Sequence, residues 1–160
     1  MDTEQVQWAI QLREVPMTFR KALRTEDEQA IRHRPDVGEW SAIEVLGHMI
    51  DKMCHWSNRV EQIAHEERPM LPGYDQDAEV REHGYQQADS ALLFETLQRQ
   101  CEHFAVLVAT LPPSALQREG IHSEFGPMTL QQCIQAPLKS VAEHLEQLRT
   151  AQQSALASGE

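Results

Sequence analysis

Residues 40–63 read WSAIEVLGHMIDKMCHWSNRVEQI and carry the clearest helical signal in the chain. The stretch opens on a capping box, because the Ser41 hydroxyl can accept from the amide of Glu44 while the Glu44 carboxylate reaches back to the amide of Ser41. Apolar side chains then recur at the spacing of one helical face. They are Val45, Met49, Met53, Trp56, Val60 and Ile63. The pattern predicts a long amphipathic helix that begins after Ser41 and continues to about Glu67.

Three further segments repeat apolar residues at helical spacing. The apolar positions are Trp8, Leu12, Val15 and Phe19 in the first segment, Leu93, Leu97, Cys101, Phe104, Val108 and Leu111 in the next, and Leu130, Ile134, Leu138, Val141, Leu145 and Leu148 in the last. Asp89 is a suitable N-cap residue for the helix that contains Leu93, and Thr129 for the helix that contains Leu130. Pro16 and Pro137 should bend the first and the last, since proline cannot donate within a helix.

These four helices predict an all-α fold, a four-helix bundle. One short helix is expected between the helix that follows Ser41 and the helix that follows Asp89, from about Val80 to Gly84. No segment shows the alternation of a β-strand. The 160 residues suit a single domain over residues 1–160, with a polar C-terminal tail from about residue 152 that should fray.

Charge and composition exclude several classes of protein. The chain has 14 Lys+Arg against 25 Asp+Glu and a formal net charge of −11, which argues against nucleic acid and acidic membranes as partners. Its 3 cysteines are widely spaced and form neither a disulfide framework nor a CxxC site. The first residues show no secretory signal, and no apolar run approaches the length of a membrane span. We therefore expect a cytoplasmic protein.

Two histidines lie where a helical bundle leaves a cleft. His48 is about 100° from the centre of the apolar stripe of its helix, and His144 is about 60° from the centre of the last stripe. Both therefore border core and solvent. Asp51 and Gln147 follow them by three residues, which makes each a neighbour on the helix surface and a candidate to orient the imidazole. The other interpretation is that both are ordinary boundary histidines that bond to a neighbouring helix.

Three motifs in order resemble the DinB-like (YfiT-like) superfamily. They are GEWSAIEVLGHMID at residues 38–51, GIHSEFGPMTLQQC at 120–133 and EHLEQL at 143–148. The resemblance implies a four-helix bundle, commonly dimeric. In many members three histidines hold a divalent metal, one from the second helix and two from an H-x-x-x-H motif on the last. It also implies a metal-dependent hydrolase or a thiol-dependent transferase acting on a small molecule.

Carried over to this chain, the resemblance implies that His48 and His144 are metal ligands. The third ligand should lie four residues before His144, where this sequence has Ser140. A serine hydroxyl is a poor ligand for zinc or nickel. Asp51 is the best-placed substitute, and Glu143 could serve if its side chain turned inward. The site is therefore predicted to be degenerate, with the metal bound weakly or absent.

The remaining candidate is His122, which also matches a motif position. It could be an acid–base residue near the mouth of the cleft, as could Asp51, because imidazole exchanges protons near neutral pH. It could equally be a loop side chain that caps a helix end. The alternative to an enzyme is a non-catalytic small-ligand-binding or structural protein on the same bundle. A homodimer is expected from the family, and Ile50 and Cys54 lie off the main stripe of their helix.

Overall fold

The structure, a computed structural model, describes residues 3–157. Its helices are α1 (Thr3–Ala22), α2 (Glu28–Arg32), α3 (Ala42–His65), α4 (Gln76–Glu82), α5 (Ser90–Thr110), α6 (Leu130–Lys139) and α7 (Val141–Ala157). Its strands are β1 (Met70–Leu71), β2 (Glu119–His122) and β3 (Gly126–Thr129). The bundle consists of α1, α3, α5 and the consecutive pair α6 and α7. In it α1 packs along α5, and α3 packs against α5, α6 and α7. The predicted fold is confirmed.

The N-terminus of α3 is fixed as its sequence predicts. The amide of Glu44 donates to the Ser41 hydroxyl at 3.3 Å, and the amide of Ser41 donates to the Glu44 carboxylate at 3.0 Å. Arg34 adds two bonds of 2.9 Å each to the same carboxylate. A bidentate arginine contact of this kind is geometrically specific. It ties the preceding loop, which carries Trp40, to the beginning of α3.

The first half of α3 is buried on nearly all sides. Every residue from 41 to 51 is buried, including Ile50, which is 7% exposed. Ile50 packs within its own chain, so it offers no apolar surface to a second copy. Among the described helices, none combines the length and apolar character that crossing a membrane would require.

The last helix of the bundle is divided at Ser140, which lies between α6 and α7. Pro137 lies inside α6, and the amide and hydroxyl of Ser140 both donate to the Pro137 carbonyl, at 3.3 and 2.9 Å. By contrast, Pro16 lies within α1 without ending it. The helix is therefore interrupted after Pro137, as expected. The Ser140 hydroxyl bonds to the Pro137 carbonyl, which the broken helical hydrogen-bond pattern would otherwise leave unpaired.

The C-terminal residues differ from the polar tail expected from about residue 152. They continue α7 through Ala157, and Gln152 is 3% exposed. Its side-chain amide donates to the Ala22 carbonyl at 2.6 Å, and its carbonyl accepts from the amide of Arg24 at 3.0 Å. A polar side chain is buried here because it is bonded to the backbone that follows α1.

The sequence analysis predicted no strands, and the structure corrects this. The β2 and β3 strands form an antiparallel hairpin, and β1 pairs with β2 in parallel. Gly126 closes the hairpin turn with φ +72°, a conformation that favours glycine. Strands of two to four residues are too short to display alternation, so only the turn residues could have indicated them. The hairpin precedes α6 directly and covers one end of α3.

Candidate metal centre and its cleft

His48 is the most unusual polar residue of the bundle. It has 0% exposure, and neither of its ring nitrogens has a hydrogen-bond partner. Burial lowers its pKa to about 3, with further lowering by His144 and Lys52. An imidazole buried without partners costs free energy. A buried polar side chain without partners is typical of a site that binds an ion or a small ligand.

His144 extends from α7 to meet it. The two rings contact edge to face, with their centroids 4.7 Å apart. The Nδ1 atom of His144 lies 3.0 Å from Oε1 of Gln147, so the predicted pairing of these two side chains is present. Since a carbonyl oxygen only accepts, Nδ1 carries the proton and Nε2 keeps a lone pair. Gln147 therefore fixes the orientation of the His144 imidazole.

His144 borders a cleft between the loop before α3 and α7. Trp40 contacts His48 with ring centroids 4.6 Å apart. The cleft has a volume of about 600 Å³ and is bordered by Trp40, His144 and Gln147, with Gln76 and Asp77 of α4 opposite. Trp40 and His144 both line the cleft and both contact His48, which does not itself line it.

Ser140 supplies no third ligand in this arrangement. Its hydroxyl is committed to the Pro137 carbonyl, and it lies at the junction of α6 and α7. Glu143 is exposed and lines the cleft beside His144. The pair thus offers two imidazoles in ring contact, the ligand type that zinc and nickel prefer, and the described residues leave the third position of the family pattern unfilled.

Asp51 belongs to a different cluster. Its Oδ1 atom accepts from the Tyr85 hydroxyl at 2.6 Å and lies 3.0 Å from Nδ1 of His83. Its Oδ2 atom is buried with no partner, and burial raises the pKa of this carboxyl. Asp51 consequently does not orient His48, although it lies three residues further along the same helix.

The cluster around Asp51 contains a second set of candidate ligands. One ligand atom each from Asp51, Glu79 and His83 lie within 4.8 Å of one another, which is the one such set of three among the described residues. Glu79 also contacts Nε2 of His55 at 2.8 Å. Carboxylate and imidazole together suit a divalent cation. Sequence reasoning missed Glu79 and His83, whose only signal was an E-x-x-x-H spacing on a short helix.

His122 has a structural role in the hairpin. Its Nδ1 atom accepts from the amides of Glu124 and Phe125, at 3.0 and 3.3 Å, and its ring stacks on Phe125 with centroids 4.5 Å apart. These bonds require an unprotonated Nδ1, and burial lowers the pKa of this histidine. His122 borders a separate small cavity with Trp56. His122 therefore caps the hairpin turn rather than the helix end that was expected, and an acid–base role for it stays a prediction.

The burial of His48 predicts an effect of pH on stability. In the unfolded chain His48 takes up a proton near pH 6.5, whereas in the folded protein its pKa is about 3. Between these values the unfolded state holds more protons, so stability falls as the pH falls, by about 1.4 kcal/mol per pH unit from this group. We expect His48→Phe to lose this part of the pH dependence. Urea unfolding of the metal-free wild type and variant between about pH 6 and pH 4 measures the two free energies of unfolding. If their difference stayed constant over this pH range, the prediction would be wrong.

The fold and the site define a helical bundle with paired histidines in a cleft at one end. The chain belongs to the DinB superfamily, whose family model matches residues 11–148. The resemblance seen in the three motifs is thereby confirmed. No curated protein matches the chain. Among solved structures, YfiT from Bacillus subtilis is similar with a TM-score of 0.84 and 20% identity, over 99% of this chain and 90% of that one. That protein is described as a probable metal-dependent hydrolase with an unusual four-helix bundle topology.

Proposed function

We propose that this protein is a divalent-metal-dependent hydrolase of a small molecule, with the metal bound by His48 and His144. The observation that supports this most strongly is the buried His48 ring, which lacks a partner at both nitrogens and lies against His144. Imidazole nitrogens are preferred ligands of zinc and nickel. The metal-dependent character ascribed to YfiT is in line with this proposal. A homodimer stays a prediction from the family.

The residues of this chain would prepare the site in three ways. Gln147 holds the proton of His144 on Nδ1, which leaves Nε2 free. Trp40 packs against His48 and is one of the side chains that surround this fully buried ring. Burial keeps His48 unprotonated at neutral pH, so no proton competes with a ligand there. A divalent metal in this position would supply Lewis acidity and lower the pKa of a water molecule.

Ser140 favours a second candidate function. With two imidazoles and no third protein ligand, a metal would be held weakly, and a protein that binds a small ligand without chemistry fits the same cleft. Thiol-dependent transfer is the other reaction that the family resemblance implies. Hydrolysis in the absence of an added thiol distinguishes the first proposal from transfer, and the metal content distinguishes both from a ligand-binding protein.

The test of the proposal is metal binding by the untagged protein. We expect zinc or nickel to bind with one equivalent, and His48→Ala to weaken binding by at least about tenfold because it removes one of two imidazoles. His103→Ala, which replaces an exposed histidine of α5, serves as the matched control. Elemental analysis and a competitive chelator titration provide the numbers. If the wild type binds no more metal than His48→Ala, the metal proposal is overturned.

If the Asp51 cluster held the metal instead, His48→Ala would keep full affinity. Asp51→Asn would then lose it. Running both variants beside His103→Ala therefore assigns any bound metal to one of the two sets of residues. Glu79→Gln provides a second check on the Asp51 cluster, since its carboxylate contacts His55 as well as the other members of the set.

A further inference from the structure

A separate cavity lies beside α3, next to the hairpin of β2 and β3. It has a volume of about 170 Å³, and its walls include Lys52, Trp56, Arg59, Tyr74, His122 and Phe125. Gln76 borders both this cavity and the cleft of His144. Lys52 lies one helical turn beyond His48 on α3. The cavity therefore adjoins the proposed metal centre without sharing its histidines.

Arg59 is a buried cation without a carboxylate. The residue is 5% exposed, with its guanidinium 4.3 Å above the ring of Trp56 and 5.8 Å from that of Tyr74. One nitrogen donates to the Pro72 carbonyl at 3.0 Å. Within residues 3–157, no acidic side chain forms an ion pair with it. Buried charges are normally paired, and this one faces a cavity instead.

Lys52 places a second cation on the same cavity. It is half-buried, and in the part of the chain that the structure describes it has no ion-pair partner either. Burial lowers its pKa, Glu143 raises it, and Arg59 lowers it further. Two like charges on one small cavity repel each other. An anion between them would relieve that repulsion and the cost of burying Arg59.

Tyr74 and His122 add two neutral donors to the cavity, and its lining includes one carboxylate. Burial raises the pKa of Tyr74 to about 12, so its hydroxyl keeps a proton to donate. His122 carries its proton on Nε2, because Nδ1 accepts from two backbone amides. The carboxylate is that of Glu124, which lines the cavity and is exposed. Burial lowers the pKa of Arg59, and the charge of Glu124 offsets part of that lowering. The balance of charge still favours an anionic ligand.

We propose that this cavity binds the carboxylate of a small organic acid with a flat apolar body, through Arg59 and Lys52. The planar fork of arginine matches a carboxylate, and the aromatic walls suit a flat body. As a statement about the substrate, this rests on the proposed enzyme function. Binding itself requires neither the metal nor the two histidines.

The first experiment uses benzoate as the probe and the metal-free full chain. Benzamide has the same shape without the charge, so isothermal titration with both measures what the carboxylate contributes. We expect benzoate to bind at least about tenfold more tightly than benzamide, as for hydrogen bonds to charged groups. Equal binding of the two, or no binding of benzoate, overturns the proposal. Inorganic phosphate that binds more tightly than benzoate would overturn the choice of a carboxylate.

Variants then locate the site. Arg59→Gln should weaken benzoate by at least about tenfold, whereas Arg99→Gln, at an exposed arginine of α5 paired with Glu95, should leave it unchanged. Glu124→Gln should strengthen binding a few-fold, since it removes the one carboxylate on the cavity. If Arg59→Gln does not fold, Lys52→Gln takes its place, and unchanged affinity in that variant contradicts the assignment. Because the titration uses metal-free protein, a failure here leaves the metal-binding result intact.

Discussion

Ser140→His is expected to raise the affinity of this protein for zinc or nickel by about a hundredfold, because it adds an imidazole beside two that are already in place. Residue 140 precedes His144 by four positions. The amide of His144 donates to the Ser140 carbonyl at 3.1 Å, so the helical turn that joins the two residues is intact. Side chains four apart on a helix are neighbours. The new imidazole would therefore stand beside His144, on the side of the paired rings.

The control for this variant is Ser154→His, within α7. Both serines donate to the carbonyl three residues earlier, Ser140 to Pro137 at 2.9 Å and Ser154 to Ala151 at 2.7 Å. Loss of that bond should cost the two variants about the same stability. Only Ser140→His should gain metal, measured by chelator competition. Equal affinity in the two variants would show that residue 140 does not face the histidine pair, which would contradict the mapping of the family motif.

The sequence predicted the parts of the site that depend on one helix. Helical spacing placed His144 on the border of the core, and the i, i+3 rule paired it with Gln147. The same spacing placed His48 on that border as well, which is wrong, because the loop that carries Trp40 and the facing α7 bury it completely. The family motif supplied the approach of α3 to α7. The same i, i+3 rule predicted that Asp51 would pair with His48, but the two side chains are not bonded in the structure. Asp51 lies three residues from His48 but bonds across to Tyr85 and His83.

The contacts that could not be predicted are made by residues in the segments that follow the long helices. The turn at Tyr85–Gln87 delivers a hydroxyl to Asp51 only because α4 folds back on α3. Arg59 lies on a helix, but its burial between two aromatic rings depends on loop residues such as Tyr74. Neither loop has a periodicity that fixes its path. Spacing along a helix is a local property, whereas these contacts depend on how non-local segments pack.

Gly47→Ala is expected to destabilise the protein by about 3 kcal/mol, in the range of overpacked cores. In an ordinary helix this change would stabilise by about 1 kcal/mol, since alanine has the higher helical propensity. Here the ring of Tyr85 lies directly on the backbone of Gly47, and an added Cβ would overlap it. The ring cannot retreat without breaking its 2.6 Å bond to Asp51. A urea unfolding curve measures the loss, and a stabilised variant would contradict the close contact.

A double-mutant cycle separates the overlap from any other effect of the substitution. In a Tyr85→Ala background the ring is absent, so the added Cβ has room and Gly47→Ala should be neutral or stabilising by up to about 1 kcal/mol. The difference between the two backgrounds, about 3 to 4 kcal/mol, is the coupling between the helix and the turn. Equal destabilisation in both backgrounds would place the cost elsewhere. The Tyr85 hydroxyl also donates to Asp51. The coupling energy therefore measures how strongly the position of Tyr85, and with it the contact to Asp51, depends on glycine at residue 47.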